Sequence, residues 1–236
     1  LEHLFKKAND LSQGTDVWSS RACLDALIDV MALVGRMDLK TELIKELERQ
    51  MAALEALPAS PHVDTERLNE VLHRLRHTLT ALRSAEGGFG TELKTNELIN
   101  AVRQRNTIPA GTCDFDLPTY RFWLEQPAER RHADLARWLS AFTLVNDSVR
   151  LSLSLIRSSA TDTQETAVGG FFQKTLDGAH PYLLVRVSVP ETFHCFTEIS
   201  AGKHRFTVRF MEQVHAEDRP NQTEADIDFQ LACCGL

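Results

Sequence analysis

The chain lacks any run approaching the ~18 consecutive apolar residues that a membrane-spanning helix needs, so none is expected in its 236 residues. No basic-then-apolar leader precedes a small-residue cleavage site. Cysteine is sparse and never arranged as C-x-x-C. Cys23, Cys113, Cys195, Cys233 and Cys234 make an odd set, which suits free thiols in a reducing compartment better than a disulfide framework. These absences predict a soluble cytoplasmic protein. An excess of positive charge is missing too: 33 acidic against 26 basic residues leave a formal net charge of −7 and a pI near 5.7. That balance argues against a generic polyphosphate or nucleic-acid binder. The sequence opens at Leu1 inside a helical pattern without an initiator Met, and the natural protein is expected to extend upstream.

An apolar fraction of 43% with 25% charged residues is the balance of a packed globular chain, and it excludes disorder and collagen-like fibres. The length suits two modest domains. From Asp38, the residues Leu39, Leu43, Leu47, Met51 and Leu54 recur at three to four positions, which predicts an amphipathic helix capped by Asp38 and closed by Pro58 and Pro61. Leu68, Val71, Leu72, Leu75, Leu79 and Leu82 predict a second, following Asp64 and Thr65 and ended by Gly87, Gly88 and Gly90. The two read as an antiparallel hairpin. Further helices are expected over Asn96 to Arg105, after Asp116 and Pro118, from Pro127 through Trp138, and over Leu144 to Arg157.

After Ser158 the run S-S-A-T-D-T-Q-E-T carries no large apolar residue, and the domain boundary is placed there. Beyond it the period drops from 3.6 to 2. Leu183, Val185, Val187 and Val189 alternate with Leu184, Arg186 and Ser188. Phe206, Val208 and Phe210 alternate with Arg205, Thr207 and Arg209, and Ile227, Phe229 and Leu231 with Asp228 and Gln230. The expectation is an α+β chain: a helical domain over 1–158, then a small antiparallel β domain over 159–236 with one wet face.

Enzyme motifs are mostly missing. No G-x-x-x-x-G-K-S/T loop, G-x-S-x-G elbow or G-x-G-x-x-G turn after a strand occurs, and G-G-F-G at 87–90 fits a helix C-terminus with its turn. His73 and His77 stand four apart in H-R-L-R-H without the glutamate of a zinc protease, and flanking arginines would repel a divalent cation. A solvated basic face is the preferred reading. Cys233 and Cys234 would point to opposite faces of a strand, one of them into the core. The most distinctive polar feature is K-H-R-F-T-V-R-F-M at 203–211. With its phenylalanines and valine inward, Arg205 and Arg209 share the outer face about 13 to 14 Å apart at their roots. That face would receive an acidic ligand, unless Asp226 and Asp228 of the last strand neutralise it by cross-strand pairing.

The runs R-M-D-L-K-T-E-L-I-K-E-L-E-R-Q, V-R-Q-R-N-T-I-P-A-G-T-C-D-F-D-L-P-T-Y, G-F-F-Q, H-R-F-T-V-R-F-M and D-F-Q-L-A-C-C resemble, in order and spacing, the ZapD family of bacterial cell-division proteins. The resemblance implies a non-enzymatic, cofactor-free homodimer that binds the C-terminal tail of FtsZ and bundles FtsZ protofilaments at the mid-cell division ring, with neither nucleic acid nor membrane as partner. Basic residues of a central pocket serve the tail in that family, and the matching positions are Arg36, Arg205 and Arg209, to which Arg186 is added as a further candidate. One departure is Arg121, where the family carries a histidine, and the family's N-terminal basic residues have no counterpart here. Two other readings are an enzyme or sensor holding a small anion between Arg186, Arg205 and Arg209, and a helical domain that binds nucleic acid through Arg67, Arg74, Arg76 and Arg83.

Overall fold

In the computed structural model, which describes residues 1–35, 38–57, 64–177 and 182–235, short polar side chains set several of the helix starts. Asp16 accepts from the backbone N–H of Trp18 and Ser19, Asp38 from Thr41, Asp64 from Arg67 and Asn96 from Ile99. Each satisfies donors that the first turn of a helix leaves unpaired. Among the described residues the helices are α1 (Glu2–Leu11), α2 (Val17–Val34), α3 (Leu39–Glu55), α4 (Thr65–Ser84), α5 (Glu97–Arg105), α6 (Pro118–Leu124), α7 (Ala128–Ser140) and α8 (Thr143–Ser158). Pro118 does open a helix, but Asp116 does not cap it: Leu117 stands at that position, and Asp116 faces Arg105 at 3.7 Å instead. Pro58 and Pro61 lie outside the described residues.

α2 has no counterpart in the sequence reading. Its Cys23, Leu24, Ala26, Leu27, Ile28 and Val30 are all buried, so apolar positions surround the axis and leave little amphipathic contrast to detect. α3 and α4 run antiparallel. Glu48 pairs with Arg83 and Glu55 with Arg76, and Lys40 Nζ donates to the Ala85 carbonyl at 2.6 Å. The G-G-F-G glycines do not cap α4, whose end is Ala85 in extended conformation. Gly90, at φ 67°, instead starts the next 3-10 turn against Phe142, whose ring a Cβ there would strike.

Beyond α8 come β1 (Thr163–Ala167), β2 (Phe171–Thr175), β3 (Leu184–Ser188), β4 (Phe196–Ala201), β5 (Arg205–Glu212), β6 (Asn221–Gln222) and β7 (Ile227–Cys234). The class is α+β. The strands are antiparallel but form two sheets: β1-β7-β3, and β2-β5-β4 with β6 beside β5. Phe206, Val208 and Phe210 of β5 meet Ile227, Phe229 and Leu231 of β7 in a shared core. There the Phe210 and Phe229 rings lie 5.1 Å apart. The polar run after Ser158, at the expected domain boundary, is strand from Thr163 onward. β1 pairs with β7 along its whole length, and at a sheet edge that backbone pairing outweighs weak side-chain propensity. The chain divides into two compact units, Leu1–Ser152 and Leu153–Leu236, the division falling within α8.

One half-buried carboxyl in the helical unit sets a pH dependence. Burial pushes Asp25 of α2 above the usual carboxylate range; Lys7 opposes the shift and Asp29 adds to it. The folded chain therefore binds this proton more tightly than the unfolded one, and stability falls as pH rises through the ordinary carboxylate range to the raised value. Asp25→Asn is expected to be more stable than the parent at pH 7 and to match it near pH 3. Urea unfolding at both values checks this, and a variant less stable at pH 7 would contradict it.

Candidate functional site

The outward face of β5 is a consequence of its alternation. Phe206, Val208 and Phe210 are fully buried, which turns Arg205, Thr207, Arg209 and Met211 to the other side. Both arginines are exposed, and among the described residues neither guanidinium forms an ion pair or hydrogen bond. The neighbours on that face follow from register. Arg209 stands opposite Phe171 of β2 and Glu198 of β4, Thr207 opposite Gln173 and Ser200, and Met211 opposite Phe196. Glu198 faces Arg209 without closing an ion pair. The result is a wet sheet face with two free guanidinium groups and one carboxylate, suited to a ligand that brings its own negative charge.

Neutralisation by Asp226 and Asp228 does not occur. β7 belongs to the other sheet, where Asp228 accepts from Thr166 Oγ1 at 2.7 Å, and Asp226, in the turn before β7 rather than on it, accepts from the Gly169 backbone N–H at 2.8 Å. Arg186 does not join Arg205 and Arg209. It lies on β3 opposite Ala232, on the side of its sheet where Ala232 and Cys234 pack with Ile156, away from the core between the sheets. Its guanidinium donates to Asp162 at 2.7 Å, and this bond holds its pKa above the ordinary arginine value. An anion shared by all three arginines is thereby excluded, because the sandwich core separates Arg186 from the other two. Arg36 lies outside the described residues.

The remaining candidates resolve simply. His73 and His77 are exposed on α4 between the buried Leu72, Leu75 and Leu79, and the described residues contain no cluster suited to a metal ion. Arg76 and Arg83 spend their charge on glutamates of α3, which removes half of the basic face that the nucleic-acid reading used. Cys234 is buried and Cys233 half-buried, on opposite faces of β7, with burial pushing the Cys233 thiol up. Arg121 pairs with Glu125 at 2.9 Å. No described helix is long and apolar enough to cross a membrane.

Sequence reasoning missed Arg131, which looks like surface charge in E-R-R-H but is only 4% exposed. Its guanidinium donates to Ser20 Oγ at 2.6 Å, to the carbonyls of Thr15 at 2.7 Å and Asp16 at 3.2 Å, and to that of Gln126 at 3.1 Å. It ties α7 to the start of α2. Position 131 falls on the buried side of α7 with Leu135 and Trp138, and that i, i+4, i+7 spacing was the available signal.

The family model for ZapD, a cell-division protein, matches residues 1–209, a span that includes both β5 arginines. The chain is 43% identical to the cell division protein ZapD of Methylococcus capsulatus over its full length and 92% of that protein. It is 38% identical to that of Chromobacterium violaceum over 90% of this chain and 84% of the relative. With the ZapD of Nitrosomonas europaea it shares 34% identity over the full chain and 89% of the relative. On this similarity the chain belongs to the ZapD family of cell-division proteins.

Proposed function

We propose that this chain binds the C-terminal tail of FtsZ and, as a homodimer, bundles FtsZ protofilaments at the division ring, in the cytoplasm at mid-cell. It is a binding protein rather than an enzyme on this reading, with no cofactor and neither nucleic acid nor membrane as partner. Membership of a cell-division family supports the process. The observation that carries the tail site is the pair Arg205 and Arg209, free of partners on a solvent-facing sheet. Arg36 joins them by resemblance alone, and Arg186, bonded to Asp162 on the far side of the sandwich, is left out. Co-sedimentation with FtsZ filaments tests the reading: the chain should pellet with intact FtsZ and stay in solution with tailless FtsZ. Equal pelleting with both would overturn it.

On this reading the homodimer forms through the helical unit. Trp18 is 76% and Phe115 92% exposed, and both line one open cleft with Val17 and Leu124. A stable interface buries at least about 1,000 Å², and aromatic anchors of this size are its usual centre. Two tail sites on a two-fold assembly grip two filaments, and the many tails of a filament raise the effective concentration without new contacts. Trp18→Glu with Phe115→Glu should give a folded monomer by sedimentation equilibrium. Its tail-peptide affinity should stay within about threefold of the parent, and light scattering should fall to that of FtsZ alone. A monomer that bundles as well as the parent would contradict the bridging mechanism.

A further inference from the structure

The arginine face carries more than charge. Phe171 is the direct cross-strand neighbour of Arg209. Phe196, opposite Met211, lies on the same side one pleat further along. Phe171 is 39% and Phe196 42% exposed. Neighbouring strands are about 4.8 Å apart, which sets Phe171 beside Arg209 and Phe196 diagonally next to it on that face. Phe172, next in sequence, turns inward against Phe206 and Phe229, so Phe171 is not needed for that core. Large apolar side chains left half in water beside unpaired cations are a feature of recognition surfaces rather than of solvated sheet faces.

We propose that Phe171 and Phe196 are specificity-determining residues of the β5 face, selecting an acidic peptide that presents a large apolar side chain next to its carboxylates. This rests on the tail reading and deepens it. Charge complementarity fixes the sign of the occupant, since the face holds two free guanidinium groups against Glu198 alone. The rings fix the second requirement. Arg205 and Arg209 attract any polyanion, in a manner screened by salt, whereas contact with Phe171 and Phe196 removes apolar area from water and rejects a peptide that is merely acidic. The two contributions separate experimentally, because only the first depends on ionic strength.

The test is fluorescence anisotropy with the full chain and two labelled peptides: the FtsZ C-terminal tail, and the same tail with every Leu, Ile, Val and Phe replaced by Ser and all carboxylates kept. Phe171→Ser with Phe196→Ser is expected to weaken tail binding about tenfold and to leave the dependence on salt between ~50 and ~300 mM unchanged. The serine-substituted peptide should bind the parent about tenfold more weakly and lose little further on the double variant, as a double-mutant cycle requires for a shared contact. Because that peptide arm leaves the protein untouched, it still decides the matter if the variant misfolds. Tail and serine peptide binding the parent equally well would overturn the proposal while the tail site stands. No binding of either peptide to the parent would overturn both.

Discussion

Reversing both strand arginines, Arg205→Glu with Arg209→Glu, is expected to lower affinity for the FtsZ tail by about thirty- to a thousandfold while the chain stays folded. Each reversal removes an attraction and adds a repulsion, together worth ~1 to 2 kcal/mol at an exposed site. Stability is little affected, because both side chains point away from the core that Phe206, Val208 and Phe210 fill. The exception is local: a glutamate at 209 would face Glu198 directly across the β4–β5 pair, a like-charge contact costing ~0.2 to 1 kcal/mol. Arg205→Gln with Arg209→Gln avoids that contact and should still lose most of the binding. Anisotropy and thermal unfolding of both variants check this. A folded double reversal that binds the tail as the parent does would place the site elsewhere.

The second large effect is on stability. Arg131→Ala is expected to destabilise the helical unit by about 3 kcal/mol, because four bonds to a buried cation vanish together and the Thr15 carbonyl loses its guanidinium donor, while the Asp16 carbonyl keeps only the Ser20 N–H and hydroxyl. For a unit of this size Tm should drop by roughly 6 to 12 °C. Arg131→Lys should recover little, since an ammonium is a point donor and cannot span acceptors that a planar guanidinium reaches from three nitrogens. Calorimetry of the two variants is the measurement. A loss below ~0.5 kcal/mol, the usual range for exposed positions, would show that Arg131 is not holding α2.

Periodicity made α3, α4, α5, α7 and α8 legible, because each has an apolar stripe and most have a capping or proline start within a few residues. The alternation of β5 was legible for the same kind of reason: one wet and one dry face is written directly into H-R-F-T-V-R-F-M. It is enough to put Arg205 and Arg209 on one face of the strand. α2 was not legible, being apolar on several sides, nor was β1, whose Thr163–Ala167 has almost no strand character and takes its form from β7.

What the sequence by itself determined is therefore local: the striped helices with the Asp38 and Asp64 caps, the inward and outward sets of each strong strand, and through whole-chain resemblance the family. What only the tertiary structure decided is which strands are neighbours. Asp226 and Asp228 have the right charge and spacing to neutralise the β5 arginines, yet β7 pairs with β1 and β3. Arg186 looks equivalent to Arg205 and Arg209, yet faces the other way from the opposite sheet. Arg131 reads as solvent charge until α7 is laid against the start of α2. Spacing along the chain fixes the direction of a side chain relative to its own strand or helix. Its partners depend on contacts between segments far apart in sequence, which packing selects and no local pattern encodes.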